Sequence, residues 1–375
     1  MTLSSRRGQS LLTRRKYPMD KDNPILIQNI FYMLSYAFQV LNQNNYKNMG
    51  AEEFEHIHDL LAAILAGGMA QLVKQGLHRE YIERNETLPT LKGKLDIPET
   101  IRSRMQRKPL LSCFFDELSE NNQLNQILKT TAWQLIKRQD VGKKQRQALK
   151  NVLFHFGDVD IIQLQTVNWS RLSYPRGNQV YPMVIHICRF IWQEMLPNKQ
   201  ADQYHMQEFT DRCLFGLFER FVREYYKTHY KSLIPREQSR KIEWNLDGMK
   251  PQGLPSMEAD LKLCHNASNT MLIIDTKFYS HAMQKSHYGK KTFHSQNLYQ
   301  IFTYVKNQDK YNTGNVSGML LYAKTNEDIT PNASFLLGGN HFCIRTLDLN
   351  QNFQHIAQQL DNIAQSYFPR VKKQE

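Results

Sequence analysis

From Ile25 to Leu41 the apolar residues Ile27, Ile30, Phe31, Leu34, Ala37, Phe38 and Leu41 recur three and four positions apart, which predicts a helix with one buried face. A second helix is predicted from Glu52 to about Gln75, carried by Phe54, Ile57, Leu60, Leu61, Ile64, Leu65 and Leu72 and interrupted at Gly67-Gly68. Between Tyr81 and Pro98, punctuation by Pro89, Gly93 and Pro98 predicts short strands. Residues 117 to 138 return to helical spacing, entered through the cap-like Ser119-Glu120-Asn121-Asn122. After a polar, turn-rich stretch from Trp169 to Tyr181, a helix is predicted at Pro182 to Leu196, and residues 197 to 203 form the best linker candidate. Beyond them the predicted order is helix (211 to 230), strand (258 to 264), strand (271 to 275), helix (294 to 307), strand (317 to 322), strand (341 to 346) and a closing helix (350 to 366). Such a succession predicts an α/β layered domain, without a glycine-rich dinucleotide turn, behind a helical N-terminal domain with a small β insert.

Composition sharpens this picture in one respect. Lys and Arg number 48 against 35 Asp and Glu, for a net charge of +13 and a pI near 9.4, which suits a polyanionic partner such as nucleic acid. Five of those charges lie in the first 19 residues (Arg6, Arg7, Arg14, Arg15, Lys16), and their removal still leaves +8 on the body. Residues 1 to 18 read as a disordered basic arm, with Met19 directly before the first patterned segment. The five cysteines (Cys113, Cys188, Cys213, Cys264, Cys343) are scattered and none forms a C-x-x-C pair, which argues against a disulfide framework or a zinc knuckle and for a reducing cytoplasm. No apolar run approaches the roughly 18 residues of a membrane span, and the basic N-terminus lacks the apolar core of a signal peptide, so no membrane association is expected.

The candidate chemistry lies in the C-terminal half. Asp260 lies on one predicted strand, and 15 residues later Asp275 ends the apolar run of the next, followed by Thr276 and Lys277. Two neighbouring strands bring both acids to one place. Alternation sets Asp275 and Lys277 on one side, with Thr276 pointing away. Two carboxylates that hold Mg²⁺ through hard oxygens, with an ammonium to position the attacking water, are what phosphodiester hydrolysis needs; the Thr276 carbonyl offers a further, backbone ligand. The following helix sets Gln296, Gln300 and Tyr304 on one stripe, with His294 at its start. That stripe either reaches a phosphate or metal-bound water, or is a solvated face. Glu219, bordering the apolar stripe of the 211 to 230 helix, is either a further metal ligand or an ordinary surface glutamate.

Several of these stretches resemble one family. Glu258-Ala259-Asp260-Leu261, Leu272-Ile273-Ile274-Asp275-Thr276-Lys277-Phe278-Tyr279 and Phe293-His294-Ser295-Gln296-Asn297-Leu298-Tyr299-Gln300 resemble the McrC subunits of McrBC modification-dependent restriction systems, in the PD-(D/E)xK nuclease superfamily. So do Asn29 to Ala37, Leu91 to Leu95, Phe115 to Leu118 and Val184 to Ile191, so the resemblance runs from about residue 25 to the C-terminus. It puts the family's acids on Asp260 and Asp275 and its lysine on Lys277, while Gln300 and Tyr304 fit the Q-x-x-x-Y pattern of RecB-like nucleases. The motif's proline is absent, Ala259 standing in its place, which removes no metal ligand.

The resemblance implies an N-terminal partner-binding domain (19 to 199) that enters and stimulates an McrB-like AAA+ GTPase ring, and a nuclease domain (200 to 375). It further implies double-stranded DNA containing modified cytosine, 5-methylcytosine, as the target, and GTP bound by the partner. No G-x-x-x-x-G-K-[ST] phosphate loop occurs in the chain, in keeping with a motor supplied by a separate subunit. The segment Arg171 to Tyr181, with Arg176 and Asn178 at its tip, is either the ring contact, an arginine steadying phosphate charge, or a solvated hairpin. The basic runs at Arg102 to Lys108, Lys137 to Lys150 and Lys285 to Lys291 are candidates for tracking phosphates. Two further readings remain open: a non-catalytic DNA-binding regulator of an AAA+ GTPase, and a stand-alone RecB-like nuclease.

Overall fold

A computed structural model describes residues 25, 27–42, 46, 52, 54–195, 203–235, 240–279, 283–285, 291–324 and 330–374. The basic arm at 1 to 18 and most of the 197 to 203 linker candidate lie outside them. Nearly all the predicted helices and strands are present with shifted ends. Helix α1 (Ile27–Ala37) leads through a short 3-10 turn toward α2 (Ile57–Gln75), which is followed by strands β1 (Glu80–Leu88) and β2 (Lys94–Leu95), helix α3 (Ile97–Met105) and strand β3 (Leu111–Ser119). Helices α4 (Gln123–Lys137), α5 (Lys143–Leu153) and α6 (Val180–Met195) complete the helical half.

The sequence pattern misplaces three features here. Gly67-Gly68 does not interrupt α2, which runs unbroken past both glycines; a Cβ at Gly68 would stand 2.2 Å from Val184 Cγ1, so the glycine is where α6 comes closest. Residues 117 to 119 are strand, because Leu111–Ser119 pairs antiparallel with Glu80–Leu88 along its whole length; the helix starts only after Asn122, whose side chain accepts from Asn125 N–H. The proline at 98 opens α3 instead of ending a strand: Asp96 caps the helix, and a proline in the first turn lacks only an N–H that would have no helical partner.

Helix α2 is the one described helix long and apolar enough to cross a membrane, yet it is a core helix, with Leu60, Leu61, Ile64, Leu65 and Leu72 fully buried. Beside it, Asn125 ties the helical half to the base of the β insert, donating to the His78 and Glu120 carbonyls and accepting from the Tyr181 hydroxyl at 2.7 Å.

The C-terminal half starts with the long helix α7 (Gln203–His229), then the short strands β4 (Lys241–Ile242) and β5 (Met257–Glu258), and then β6 (Leu261–His265) and β7 (Thr270–Lys277). A two-stranded piece, β8 (Gln284–Lys285) and β9 (Lys291–Thr292), precedes α8 (Ser295–Gln308). After these come β10 (Val316–Ala323), β11 (Ala333–Leu337), β12 (Asn340–Leu347) and α9 (Phe353–Tyr367). Five strands form a mixed sheet in the order β11-β12-β10-β7-β6, with β7, β10 and β12 mutually parallel and the two edge strands antiparallel to their neighbours. The parallel step from β7 to β10 requires a crossover, and α8 supplies it.

Alternate residues of the central strands feed two apolar clusters. Leu272, Ile274, Met319 and Leu321 face the cluster that contains α7 and α9, whereas Ile273, Leu320 and Tyr322 pack with Ile301, Tyr304 and Val305 of α8. The sheet is therefore covered on both faces, which is why β7 is a continuous apolar run. The chain is α/β in its C-terminal half and mixed helix and sheet overall, as the element order predicted. The larger cluster has members from Ile25 to Phe368, with none between Leu77 and Leu124, where the β insert lies. Helix α1, the first helix among the described residues, packs on α7; Tyr32 stacks on Phe353 at 4.5 Å, and Asn29 Nδ2 donates to the Leu349 and Gln351 carbonyls at 2.7 and 2.6 Å.

Candidate active site

The site arises where one strand ends before its neighbour. Pairing of β6 with β7 stops at Leu261 opposite Ile274, so Asp275, Thr276 and Lys277 extend beyond the last β6 partner. Asp260, the residue just before β6, fills the opening with its side chain. Its Oδ2 accepts the Thr276 N–H at 2.7 Å and the Thr276 hydroxyl at 2.6 Å. Alternation along β7 turns Thr276 away from the face of Asp275 and Lys277, and because the short threonine side chain stays close to the main chain, its hydroxyl and N–H converge on one oxygen of Asp260. Because a strand residue's N–H and C=O leave on the same edge, the Thr276 carbonyl faces this opening as well.

On the other strand face, Asp275 is 2% exposed and Lys277 7%, and Lys277 Nζ lies 2.7 Å from Asp275 Oδ2. The ammonium contacts that oxygen, yet Oδ2 has no directed hydrogen bond. Burial pushes the Asp275 carboxyl up; Lys277 opposes the shift, and the charges of Asp260 and Glu219 add to it. Lys277 is shifted upward as well: burial disfavours its charge, but the contact with Asp275 outweighs this and holds the amine above its ordinary value.

Lys277 Nζ also donates to Gln300 Oε1 at 3.0 Å, and Gln300 Nε2 donates to the Tyr304 hydroxyl at 2.8 Å. An ammonium can only donate, so Gln300 must turn its oxygen to Lys277 and its NH₂ to Tyr304. Asp260, Asp275, Lys277, Gln300 and Tyr304 are brought together. Gln296 is not: it is exposed at the start of α8. Beside the stripe, buried Asn297 donates to the Tyr322 hydroxyl at 2.9 Å and accepts from Tyr279 at 3.2 Å, fixing the first turn of α8 against β10.

Glu219 stands close enough for its charge to act on Asp275, but its Oε1 accepts from both Arg223 (2.7 Å) and Arg240 (2.8 Å). Arg240 pairs with Glu258 as well at 2.8 Å, and its carbonyl accepts the Ala259 N–H, so this residue ties α7 to the strand leading into Asp260. Glu219 is therefore an ion-paired anchor in this geometry, and Arg240, which the sequence pattern passed over, is its partner. Arg240 lies in a polar stretch with no periodic signal that would have singled it out.

The donor set fits a small hard cation. Among the described residues no group of three or more His, Cys, Asp or Glu side chains gathers to hold a metal ion, so a site here rests on two carboxylates, a backbone carbonyl and water. Mg²⁺ takes such sets, since it keeps several waters and uses one or two carboxylates. The undirected, buried Asp275 Oδ2 is the oxygen such an ion would satisfy.

The two partner-contact candidates lie in the helical half. Arg176 is exposed on a turn whose next residue, Gly177, has φ +80°. Asn178 is turned inward, contrary to its expected place at the tip: its Oδ1 accepts from Val180 and Tyr181 N–H at 2.9 and 3.3 Å, and its Nδ2 donates to Gln75. A short polar side chain just before a helix satisfies that helix's orphan donors.

Fold and site together define an α/β protein with an acid, acid and lysine centre at the ends of two adjacent strands, Asp275 and Lys277 buried and Asp260 half-buried. A family model described as McrBC 5-methylcytosine restriction system component matches residues 13–323, and the chain belongs to that family, bearing out the motif resemblance. A relative from Escherichia coli (strain K12), the type IV methyl-directed restriction enzyme EcoKMcrBC, is 27% identical over 353 residues, covering 92% of this chain and 99% of the relative. Two solved assemblies are similar in structure. One is a half-complex from a tetradecameric assembly of Thermococcus gammatolerans McrB AAA+ hexamers with bound McrC, at TM-score 0.49 and 17% identity, covering 90% of this chain and 76% of that one. The other is the Thermococcus gammatolerans McrBC complex, at TM-score 0.40 and 22% identity, covering 52% and 56%.

Proposed function

We propose that this chain is the DNA-cleaving subunit of a modification-dependent restriction complex, hydrolysing phosphodiesters at the Asp260, Asp275 and Lys277 centre with Mg²⁺. The observation that carries the reading is the buried Asp275–Lys277 pair set beside a doubly held Asp260 at the open end of β7, in a chain of the 5-methylcytosine restriction family. Asp260, Asp275 and the Thr276 carbonyl would hold the ion. Bound there, it supplies charge neutralisation on the scissile phosphate and an acidified water.

The chain's own groups do the rest. Lys277 has three N–H donors; one is directed at Gln300 and the ammonium rests against Asp275 as an ion pair, which leaves donor capacity for the attacking water or a phosphate oxygen. Tyr304 fixes Gln300, and Gln300 fixes the ammonium, so the donor is aimed before substrate arrives. The ionised Lys277 also opposes the charge of the two acids in a site that must accept a polyanion.

The division of labour we infer places ring contact and GTPase stimulation on residues 19 to 199, with exposed Arg176 as the contact, and cleavage on 200 to 375. The partner is an AAA+ GTPase ring of the McrB kind, and the target is duplex DNA carrying modified cytosine. The test is cleavage of cytosine-methylated and unmethylated plasmid by this protein with its genomic neighbour, GTP and Mg²⁺. Wild type cuts and Asp275→Ala does not, while GTPase stimulation survives in the variant; Arg176→Ala gives the converse pattern. Equal cutting by wild type and Asp275→Ala would leave the chain a non-catalytic regulator, and efficient cutting with Mg²⁺ alone would make it a stand-alone nuclease.

A further inference from the structure

Helix α5 has a charge distribution that the proposed centre does not use. Its sequence holds Lys143, Lys144, Arg146 and Lys150 and no acid. The buried positions Gln145, Leu149 and Val152 recur at helical spacing and fasten one face to the bundle, against α2 and α4. Along one flank of the outward side, Lys143, Arg146 and Lys150 fall in one row at i, i+3 and i+7, with Arg146 nearest the buried face. Lys144 lies off that row and is paired with Glu52 at 2.9 Å. Lys143 and Lys150 are exposed and Arg146 half-buried, and among the described residues none of the three has an acidic partner.

The row ends, four positions beyond Lys150, at Phe154, which is 85% exposed. An aromatic ring so open contributes nothing to the core, and its ring contact is with the neighbouring His155. At 1.5 Å rise per residue the three cations span roughly 10 Å and the ring lies about 6 Å further along. A straight row of unpaired cations at this spacing matches the dense negative charge of a nucleic-acid strand. A ring at its end matches the aromatic platforms on which unpaired bases stack.

We propose that the outer face of α5 is a DNA-backbone track separate from the metal centre, with Lys143, Arg146 and Lys150 on successive phosphates and Phe154 placed to stack on a base wherever the strand is unpaired. The proposal rests on the reading that DNA is this chain's substrate, and adds a second contact remote from the chemistry.

The test is fluorescence anisotropy of labelled duplex and single-stranded oligonucleotides with the full chain in EDTA, where no cleavage occurs, over a range of salt. Lys143→Gln/Arg146→Gln/Lys150→Gln is expected to bind both forms at least about tenfold more weakly. It is also expected to flatten the slope of log affinity against log salt by about 2.7 for duplex and about 2.1 for single strands, the values for three phosphates. Phe154→Ala should weaken the single strand alone. The matched variant Arg102→Gln/Arg104→Gln/Lys108→Gln, with three exposed cations removed from α3 and the turn that follows it, should change the slope far less.

Unchanged affinity and slope in the α5 variant overturns the proposal, as does an equal loss in the α3 variant, which would make the effect one of net charge. Loss of GTPase partner binding with DNA binding intact overturns it too, since the face would then be a protein contact. Should the triple variant fail to fold, Lys150→Gln alone must lower the duplex slope by about 0.9. Because only binding is read, a chain that proved unable to cut DNA would sink the nuclease reading while leaving this result standing.

Discussion

Thr276 holds Asp260 twice, through its main-chain N–H at 2.7 Å and its hydroxyl at 2.6 Å, both on Oδ2. The clamp fixes the carboxylate at the point where β6 no longer supplies a ladder partner, and it leaves the other oxygen, Oδ1, outside the clamp. Thr276→Val keeps the shape and removes one of the two bonds. Apparent Mg²⁺ affinity, read by calorimetric titration of the isolated chain, is expected to fall about tenfold, as when other outer-shell partners of metal ligands are lost. Thr276→Ser should restore it. Wild-type affinity in the valine variant would show that the N–H alone positions Asp260.

Gly68 is a packing residue. A Cβ there would overlap Val184 Cγ1, and both residues are in the interior of the α2–α6 contact. Gly68→Ala is expected to destabilise the chain by about 1–3 kcal/mol in chemical denaturation, with Val184→Ala in the same chain recovering part of the loss. Additive losses would mean that the helices separate instead of colliding.

Asp309 ends α8 in a knot of donors. Burial alone would raise its pKa, but Asn340 Nδ2, Gly314 N–H, and both the hydroxyl and N–H of Thr313 donate to it and hold the carboxyl down at about 2. A folded-state value below the unfolded one contributes stability that is complete above about pH 4 and is lost as pH falls toward 2. Wild type should therefore exceed Asp309→Asn by about 2 kcal/mol at pH 6, with the gap closing between pH 4 and 2. A constant gap across that window would mean that the charge on Asp309 contributes nothing.

Asn29 links α1 to the segment before α9 through the Leu349 and Gln351 carbonyls. Asn29→Ala strands one of them in the interior and should cost about 1–3 kcal/mol. Hydrogen exchange should then show α1 and the Leu349–Gln351 segment loosening together. Loosening of α1 alone would mean that the C-terminal segment is held by other contacts.

Much of this protein can be read from its sequence. Period-3.6 and period-2 patterns set the order of the helices and the core strands, and the apolar run Leu272–Ile274 located β7. Asp260, Asp275 and Lys277 were legible because strand geometry alone puts alternate residues on one side, and Gln300 and Tyr304 because one turn of helix separates them. Such relationships are local, fixed by the repeat of the backbone. What the tertiary structure decided is everything that depends on where a strand stops or what lies opposite. Residues 111 to 119 became strand because 80 to 88 offered a full antiparallel partner, and Gly68 continued a helix because α6 approaches there. Asn178 turned inward to satisfy the N-terminus of α6. Glu219 was taken by Arg223 and Arg240, and Thr276 closed on Asp260 because β6 ends one residue too early to pair with Asp275. Apart from the i, i+4 pair Glu219–Arg223 and the local cap at Asn178, no period along the chain encodes these contacts, because they join residues whose separation in sequence carries no information about their distance in space.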